Sequence, residues 1–130
     1  MKKAPMLIVA AMFFVVLNSP AITGTEGDIT GTWIGNTLIP NMGEDEIILT
    51  VKREGDAYSA LLNDKFGILQ NIESTSCDYT DDRLLIKISV PGAYGMTNVT
   101  IDLKFAGDAL TGTWQTQESE TGEIALKREP

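Results

Sequence analysis

The side chains of this chain that could do acid–base or metal chemistry are its carboxylates. The 130 residues include 18 aspartates and glutamates, one cysteine and no histidine. The absence of histidine excludes Ser-His-Asp and Cys-His catalysis, and every zinc site that uses imidazole. A pair of carboxylates could still run hydrolysis, but the sequence marks no pair with an apolar pocket that would separate their pKa values. We therefore expect no enzymatic activity.

Two groups of acids are candidates for binding a metal ion. Glu44-Asp45-Glu46 precedes an apolar alternating segment, and Glu118, Glu120 and Glu123 lie near the end of the chain. Carboxylate oxygens are ligands that calcium prefers, but the spacing of an EF-hand loop is absent. The sequence predicts that both groups form a solvated, charged rim, and it predicts neither a metal ion nor a cofactor.

The balance of charge limits the possible partners. The net charge is −8 at neutral pH. Nucleic acids and anionic membrane surfaces are polyanions, so both are disfavoured as partners.

The first residues have the pattern of an export signal. Met1-Lys2-Lys3 is basic, an unbroken run of 12 apolar residues extends from Met6 to Leu17, and Ser19-Pro20-Ala21 supplies small residues at a cleavage site. We expect residues 1–21 to be a signal peptide and residues 22–130 to be a single domain. Because a bilayer needs about 20 apolar residues to be spanned by a helix, we expect no membrane contact after cleavage. The predicted location is periplasmic or extracellular.

From residue 29 onward the chain alternates between apolar and polar residues with period two, which predicts an all-β domain. The alternation is clearest in Leu84-Ile86-Ile88-Val90 and in Val99-Ile101-Leu103-Phe105. One apolar and one polar face are typical of antiparallel sheets. We predict eight strands, at 29–36, 45–53, 57–63, 67–79 with an irregularity near Glu73-Ser74, 83–90, 97–105, 109–117 and 122–129. Cys77 is expected to be a small buried apolar residue.

A short sequence occurs near both ends of the domain. Ile29-Thr30-Gly31-Thr32-Trp33 is echoed by Leu110-Thr111-Gly112-Thr113-Trp114, and each copy is followed by a loop and an acidic-apolar strand. This repetition predicts a sheet whose last strand returns to its first.

The connections between strands are of two kinds. Three are tight turns that contain Gly or Asp, at 54–57, 80–83 and 106–109. The longer connections are at 37–44, 63–66, 91–96 and 118–121. In an up-and-down meander these two kinds lie at opposite ends. The sequence therefore predicts an eight-stranded antiparallel meander barrel, without free edges. We call the tight-turn end the floor and the loop end the mouth.

Gly31-Thr32-Trp33 resembles the Gly-x-Trp motif that opens the first strand of lipocalins and related calycin barrels, a group that includes the avidin-like proteins. The chain is also similar to short lipocalin-like modules of exported bacterial proteins. The resemblance implies that Trp33 closes the floor and packs under a basic residue of the last strand, a position that Arg128 matches. We expect Trp114 to be a second core ring in the floor, and the alternative is that both rings form an aromatic wall for a ligand.

The loop 37–43 carries large apolar side chains that are costly to leave in water. With other apolar residues of the mouth it predicts a binding site formed by Leu38, Ile39, Met42, Phe66, Tyr94 and Met96. Ile86, Ile88, Ile101 and Leu103 would form the inner wall. The alternative is that Leu38 and Ile39 fold inward and complete the core.

Two functions agree with these features. The first is an exported, non-catalytic protein that binds a small apolar molecule at the open mouth of the barrel. The second is a protein-interaction, inhibitor or accessory module with a filled barrel, whose loop 37–43 contacts a partner protein. The state of the interior separates them, because a ligand binder needs a cavity.

Overall fold

The computed structural model describes residues 28–92 and 95–129, and the predicted signal peptide lies outside them. The fold is all-β, as predicted, with nine strands: β1 (Gly31–Ile39), β2 (Gly43–Glu54), β3 (Ala57–Asp64), β4 (Ile72–Glu73), β5 (Ser76–Thr80), β6 (Arg83–Gly92), β7 (Gly95–Ala106), β8 (Ala109–Thr116) and β9 (Thr121–Arg128). No described segment forms a helix with the length and apolarity to cross a membrane.

All nine strands form one antiparallel sheet in the order β4-β3-β2-β1-β9-β8-β7-β6-β5. Neighbours in the sheet are neighbours in the chain, except where β9 pairs with β1. In that pairing Trp33 lies opposite Arg128, and Thr37 lies opposite Ile124. The prediction of a meander whose last strand returns to its first is therefore confirmed.

The predicted strand over 67–79 is wrong. Residues 65–71 form a loop, and the remaining residues divide into β4, which pairs with β3, and β5, which pairs with β6. Between them, the amide of Ser74 donates to the carbonyl of Ala60 at 2.9 Å, while the amide of Thr75 donates to the carbonyl of Lys87 at 2.8 Å. The chain thus passes from one end of the sheet to the other at Ser74 and Thr75, so nine strands replace the expected eight.

The sheet is curled so that its end strands approach each other. The rings of Tyr58 on β3 and Tyr79 on β5 make a T-shaped contact, with centroids 5.7 Å apart. Gly35 and Gly112 allow neighbouring strands to come close at two inward positions. A Cβ atom at either glycine would lie 1.8 Å from a carbonyl oxygen of the adjacent strand. Only glycine fits at these two positions. Because the neighbouring strands approach closely there, the sheet can bend.

The concave face of the sheet buries the predicted apolar residues. Fully or nearly fully buried side chains alternate along the central strands, including Leu49, Val51, Leu84, Ile86, Ile88, Leu103, Leu110 and Leu126. Cys77 is also buried, as expected. Burial raises the pKa of its thiol to about 11, so the thiol stays protonated at neutral pH.

The three tight turns share one end of the sheet, as predicted. At the other end, the connections predicted at 37–44 and 91–96 are shorter than expected, because β1 and β2 extend to Ile39 and Gly43 and β6 and β7 extend to Gly92 and Gly95. The turns at Gly55-Asp56, Asp81-Asp82 and Gly107-Asp108 join β2 to β3, β5 to β6 and β7 to β8. Asp81 and Asp82 have φ values of 55° and 63°. A two-residue β-hairpin turn of this type requires positive φ at both positions, and aspartate tolerates positive φ better than most residues do.

Residues 28–30 cross the floor before β1 begins. Ile29 is fully buried, and its carbonyl accepts a hydrogen bond from Trp33 Nε1 at 3.0 Å. The guanidinium of Arg128 lies 4.3 Å from the centre of the Trp33 ring. It also donates to the carbonyls of Thr30 at 2.8 Å and Asp28 at 2.7 Å. Arg128 therefore holds residues 28–30 against the ring of Trp33 at the floor.

We expect Arg128→Met to lower the free energy of unfolding by about 2 kcal/mol, because it removes two charge-assisted hydrogen bonds and a cation–π contact. Arg53→Met is the matched control, since Arg53 also lies over a ring, that of Tyr58 at 5.6 Å, but is exposed. Its effect should stay within about 0.5 kcal/mol. Urea unfolding measures both variants, and equal effects would contradict the role given to Arg128.

Candidate functional site

The interior of the curled sheet is hollow at the mouth. A cavity of about 770 Å³ opens between the loops at this end. Its wall is mainly apolar and includes Ile47, Leu62, Ile88, Val99, Ile101 and Ile124. Cavities of this size and lining are the usual sites for small molecules in proteins.

Only some of the residues predicted for the mouth line the cavity. Ile39 and Met96 line the cavity. Leu38 and Met42 do not, and their exposed fractions are 65% and 55%. Strand alternation explains the difference at Leu38, because its neighbours Thr37 and Ile39 face the cavity and Leu38 therefore faces away.

Of the other residues predicted for the mouth and the inner wall, only two of those that the structure describes line the cavity. The side chain of Phe66 is exposed and lies outside the cavity lining, while Tyr94 lies outside the described residues. Of the predicted inner wall, Ile88 and Ile101 line the cavity. Ile86 and Leu103 are fully buried and belong to the packed core nearer the floor.

The prediction that Trp114 packs in the floor is wrong, because Trp114 lines the cavity. Its indole Nε1 donates to Thr37 Oγ1 at 2.8 Å, and its ring covers Gly122 on β9. The turn before β8 ends at Asp108, so Trp114 lies well along its strand, whereas Trp33 is only the third residue of β1. The two copies of Thr-Gly-Thr-Trp thus place their tryptophans at different depths.

Asp45 is buried, so the prediction of a solvated rim is wrong at this position. Its exposed fraction is 1%, while Glu44 and Glu46 beside it are exposed. Asp45 continues the inward alternation of Ile47 and Leu49, and that spacing is the sequence signal that could have identified it.

Asp64 at the end of β3 is the second acid of the site, which the sequence did not single out. It continues the inward positions Ala60 and Leu62, and both Asp64 and Asp45 line the cavity. The expectation that no pair of carboxylates lies in an apolar pocket is therefore wrong.

Each aspartate holds the main chain of the loop 65–71 with one oxygen. Asp45 Oδ1 accepts from the amide of Phe66 at 3.0 Å, and Asp64 Oδ1 accepts from the amide of Leu69 at 2.7 Å. The other oxygen of each carboxyl, Oδ2, is buried without a hydrogen-bond partner within residues 28–92 and 95–129. Buried polar atoms of this kind are uncommon in proteins, because they have lost water and gained nothing in return.

The neighbouring Asp64 carboxyl influences the protonation of Asp45. Burial raises the pKa of Asp45 to about 6, and the nearby acid adds to the shift. Asp45 is therefore protonated below that pH and ionised above it. Such a pair can accept hydrogen bonds from a ligand, bind a cation, or exchange a proton.

The remaining polar wall is acidic as well. Glu118 and Glu120 line the cavity, and the Glu118 carboxylate accepts a hydrogen bond from the hydroxyl of Thr97. Every titratable side chain that the structure places in the lining is therefore an acid. Within the described ranges, no three acidic or cysteine side chains converge in a way that would hold a metal ion.

Comparisons of the chain with protein-family models, with curated proteins and with solved structures find no match.

The acid pair should make stability depend on pH. In the folded state Asp45 binds its proton more tightly than it does in the unfolded chain, where its pKa has the ordinary value of 3.8, so the stabilisation is complete at low pH and is lost as pH rises through about 6. We expect the free energy of unfolding to fall by about 2 kcal/mol between about pH 4.5 and about pH 7.5. Asp28 and Asp102 have lowered pKa values, so they titrate below this range.

Asp45→Asn should remove most of this fall, because asparagine carries no charge and its Oδ1 can still accept from Phe66. Glu46→Gln is the control, since Glu46 is the exposed neighbour on the same strand. Urea unfolding across this pH range measures all three proteins. An unchanged dependence on pH in Asp45→Asn would show that Asp45 does not cause it.

Proposed function

We propose that this protein is an exported, non-catalytic binding protein that takes one small, largely apolar molecule into the cavity at the mouth. The observation that carries the proposal is the cavity of about 770 Å³ with its apolar wall. Burial of apolar ligand surface would supply the affinity, at about 25 cal/mol for each Å² removed from water. Trp114, Ile39 and Met96 offer large contact surfaces to such a ligand.

We also propose that the curled sheet is a lipocalin-like barrel. The antiparallel meander and the pairing of β1 with β9 support this. The stacking of Arg128 on Trp33 at the closed end supports it too. In barrels of about eight strands the interior is wide enough for one small ligand. A closed floor and an open mouth would give the ligand a single entrance.

The proposal of export rests on the N-terminal sequence. The basic Met1-Lys2-Lys3, the apolar run from Met6 to Leu17 and the small residues at 19–21 favour a cleaved signal peptide. A periplasmic or extracellular location would follow.

A second candidate is a protein-interaction module. Leu38 and Met42 support it, because they flank the turn between β1 and β2 and hold exposed apolar side chains outside the cavity. In that case the partner would bind the outer surface of the loop 37–43, and the cavity would not take part.

Two variants separate these functions. Val99→Trp places a large ring at a position that lines the cavity, whereas Leu38→Asp/Met42→Asp changes the loop outside it. With a neutral, environment-sensitive apolar dye, we expect saturable one-site binding by the wild type. Val99→Trp should weaken this binding by about tenfold or more, a loss of about 1.4 kcal/mol, because the ring occupies ligand volume. The double variant should bind the dye as the wild type does.

Urea unfolding of each variant shows that it is folded. If the well-folded wild type shows no saturable binding, the proposal of an apolar ligand is wrong. If the loop variant alone loses dye binding, the site lies on the outer surface of the loop and not in the cavity.

A further inference from the structure

We propose that the ligand of the cavity carries a protonated amine on an apolar body, and that the carboxylates of Asp45 and Asp64 bind the amine. This inference rests on the proposed function, because it specifies the chemistry of the molecule that the cavity would take. It assigns the polar end of the ligand to the acid pair and the apolar end to the opposite wall.

The two acids have unused hydrogen-bonding capacity. Asp45 is almost completely buried, and both Oδ2 atoms lack a partner among the described residues. An ammonium group carries up to three N–H donors and no acceptor, so one group can bond to both oxygens. Hydrogen bonds between ionised groups are about twice as strong as those between neutral groups.

No basic side chain of the described residues neutralises the pair. The ion pairs of the described residues are Arg53–Asp56 and Arg83–Asp102, and both lie on the exterior. The cavity wall itself contains acids and no Lys or Arg among its described residues. Within residues 28–92 and 95–129, no Lys or Arg therefore supplies a positive charge to Asp45 and Asp64.

Asp45 carries a buried negative charge at neutral pH. Its pKa is about 6, so above this pH Asp45 is ionised while it lies buried beside the carboxyl of Asp64. Buried charges are tolerated when they are paired. An ammonium group would take the place of the proton and offset the repulsion between the two acids.

The surroundings fit the rest of such a molecule. Thr37 lies directly opposite Asp45 in the pairing of β1 with β2, and its hydroxyl accepts from Trp114. The indole ring of Trp114 is thus on the same side of the cavity as the acids, and aromatic rings attract cations. Val99 and Ile88 on the neighbouring strands supply apolar wall for the remainder of the ligand.

Three molecules with the same alkyl chain test the proposal: decylamine, decanol and decanoate. Each is titrated against the bound neutral dye, below its micelle-forming concentration and at about pH 7.5, where an alkylamine is protonated and a carboxylate is ionised. We expect decylamine to displace the dye at a concentration about tenfold or more below that of decanol. Decanoate should be the weakest competitor, because its charge has the same sign as that of the wall.

The pair of variants Asp45→Asn/Asp64→Asn and Glu44→Gln/Glu46→Gln identifies the groups responsible. Both remove two acids, but Glu44 and Glu46 are exposed, whereas Asp45 and Asp64 line the cavity. We expect the first variant to bind decylamine no better than decanol while it still binds decanol. The second variant should keep the preference of the wild type.

A change of pH gives an independent readout. The titratable side chains around the cavity are Asp45, Asp64, Glu118 and Glu120. Since Asp45 loses its proton near pH 6 while the amine keeps its own, the affinity for decylamine should rise between about pH 5 and about pH 7.5. The affinity for decanol should not rise with it.

The outcomes separate this inference from the proposed function. If decanol binds as tightly as decylamine, the amine proposal is overturned and the apolar site stands. If the amine preference survives in Asp45→Asn/Asp64→Asn, it comes from the net charge of the protein and the pair is not the site. If neither the dye nor any of the three molecules binds the folded protein, the proposed function itself fails.

Discussion

The need to bury one face of a single sheet determines the form of this protein. No helix of the described residues covers the sheet, so its apolar face can leave water only if the sheet curls and packs against itself. The inward glycines Gly35 and Gly112 permit the bend by letting neighbouring backbones approach closely. The crossing at Ser74 and Thr75 joins the two ends of the sheet through hydrogen bonds to β3 and β6. The buried alternation of Leu, Ile and Val stabilises the result.

The same curl gives the two ends different properties. At the floor, tight turns keep the strands close, and Ile29, Trp33 and Arg128 fill the remaining space. At the mouth, inward side chains such as Thr37, Val99 and Ile124 line a cavity. Inward positions near the mouth accordingly include polar residues such as Thr37 and Asp45, whereas those nearer the floor are mostly apolar. One architecture thus combines a packed core that supplies stability with a hollow end that can take a ligand.

The buried aspartates illustrate how function and stability compete in such a site. Asp45 and Asp64 each hold the loop 65–71 through one oxygen, which accounts for part of their burial. Their Oδ2 atoms have no hydrogen-bond partner in the described residues, and the nearby Asp64 disfavours the ionisation of Asp45. An acid with a raised pKa in a cavity, as Asp45 is, is often part of a functional site, and structural networks also shift pKa values.

The sequence by itself determined the all-β class, the meander, the return of the last strand to the first, and the positions of the three tight turns at one end. These follow from local patterns, since period-two alternation assigns each side chain to a face and Gly or Asp marks a turn. The alternation also places Asp45 and Asp64 inward. Only the tertiary structure decided that they meet, that Trp33 and Trp114 lie at different depths, that residues 67–79 divide, and that the mouth is hollow. Those features depend on distances between strands, which register and curl set and which no single strand encodes.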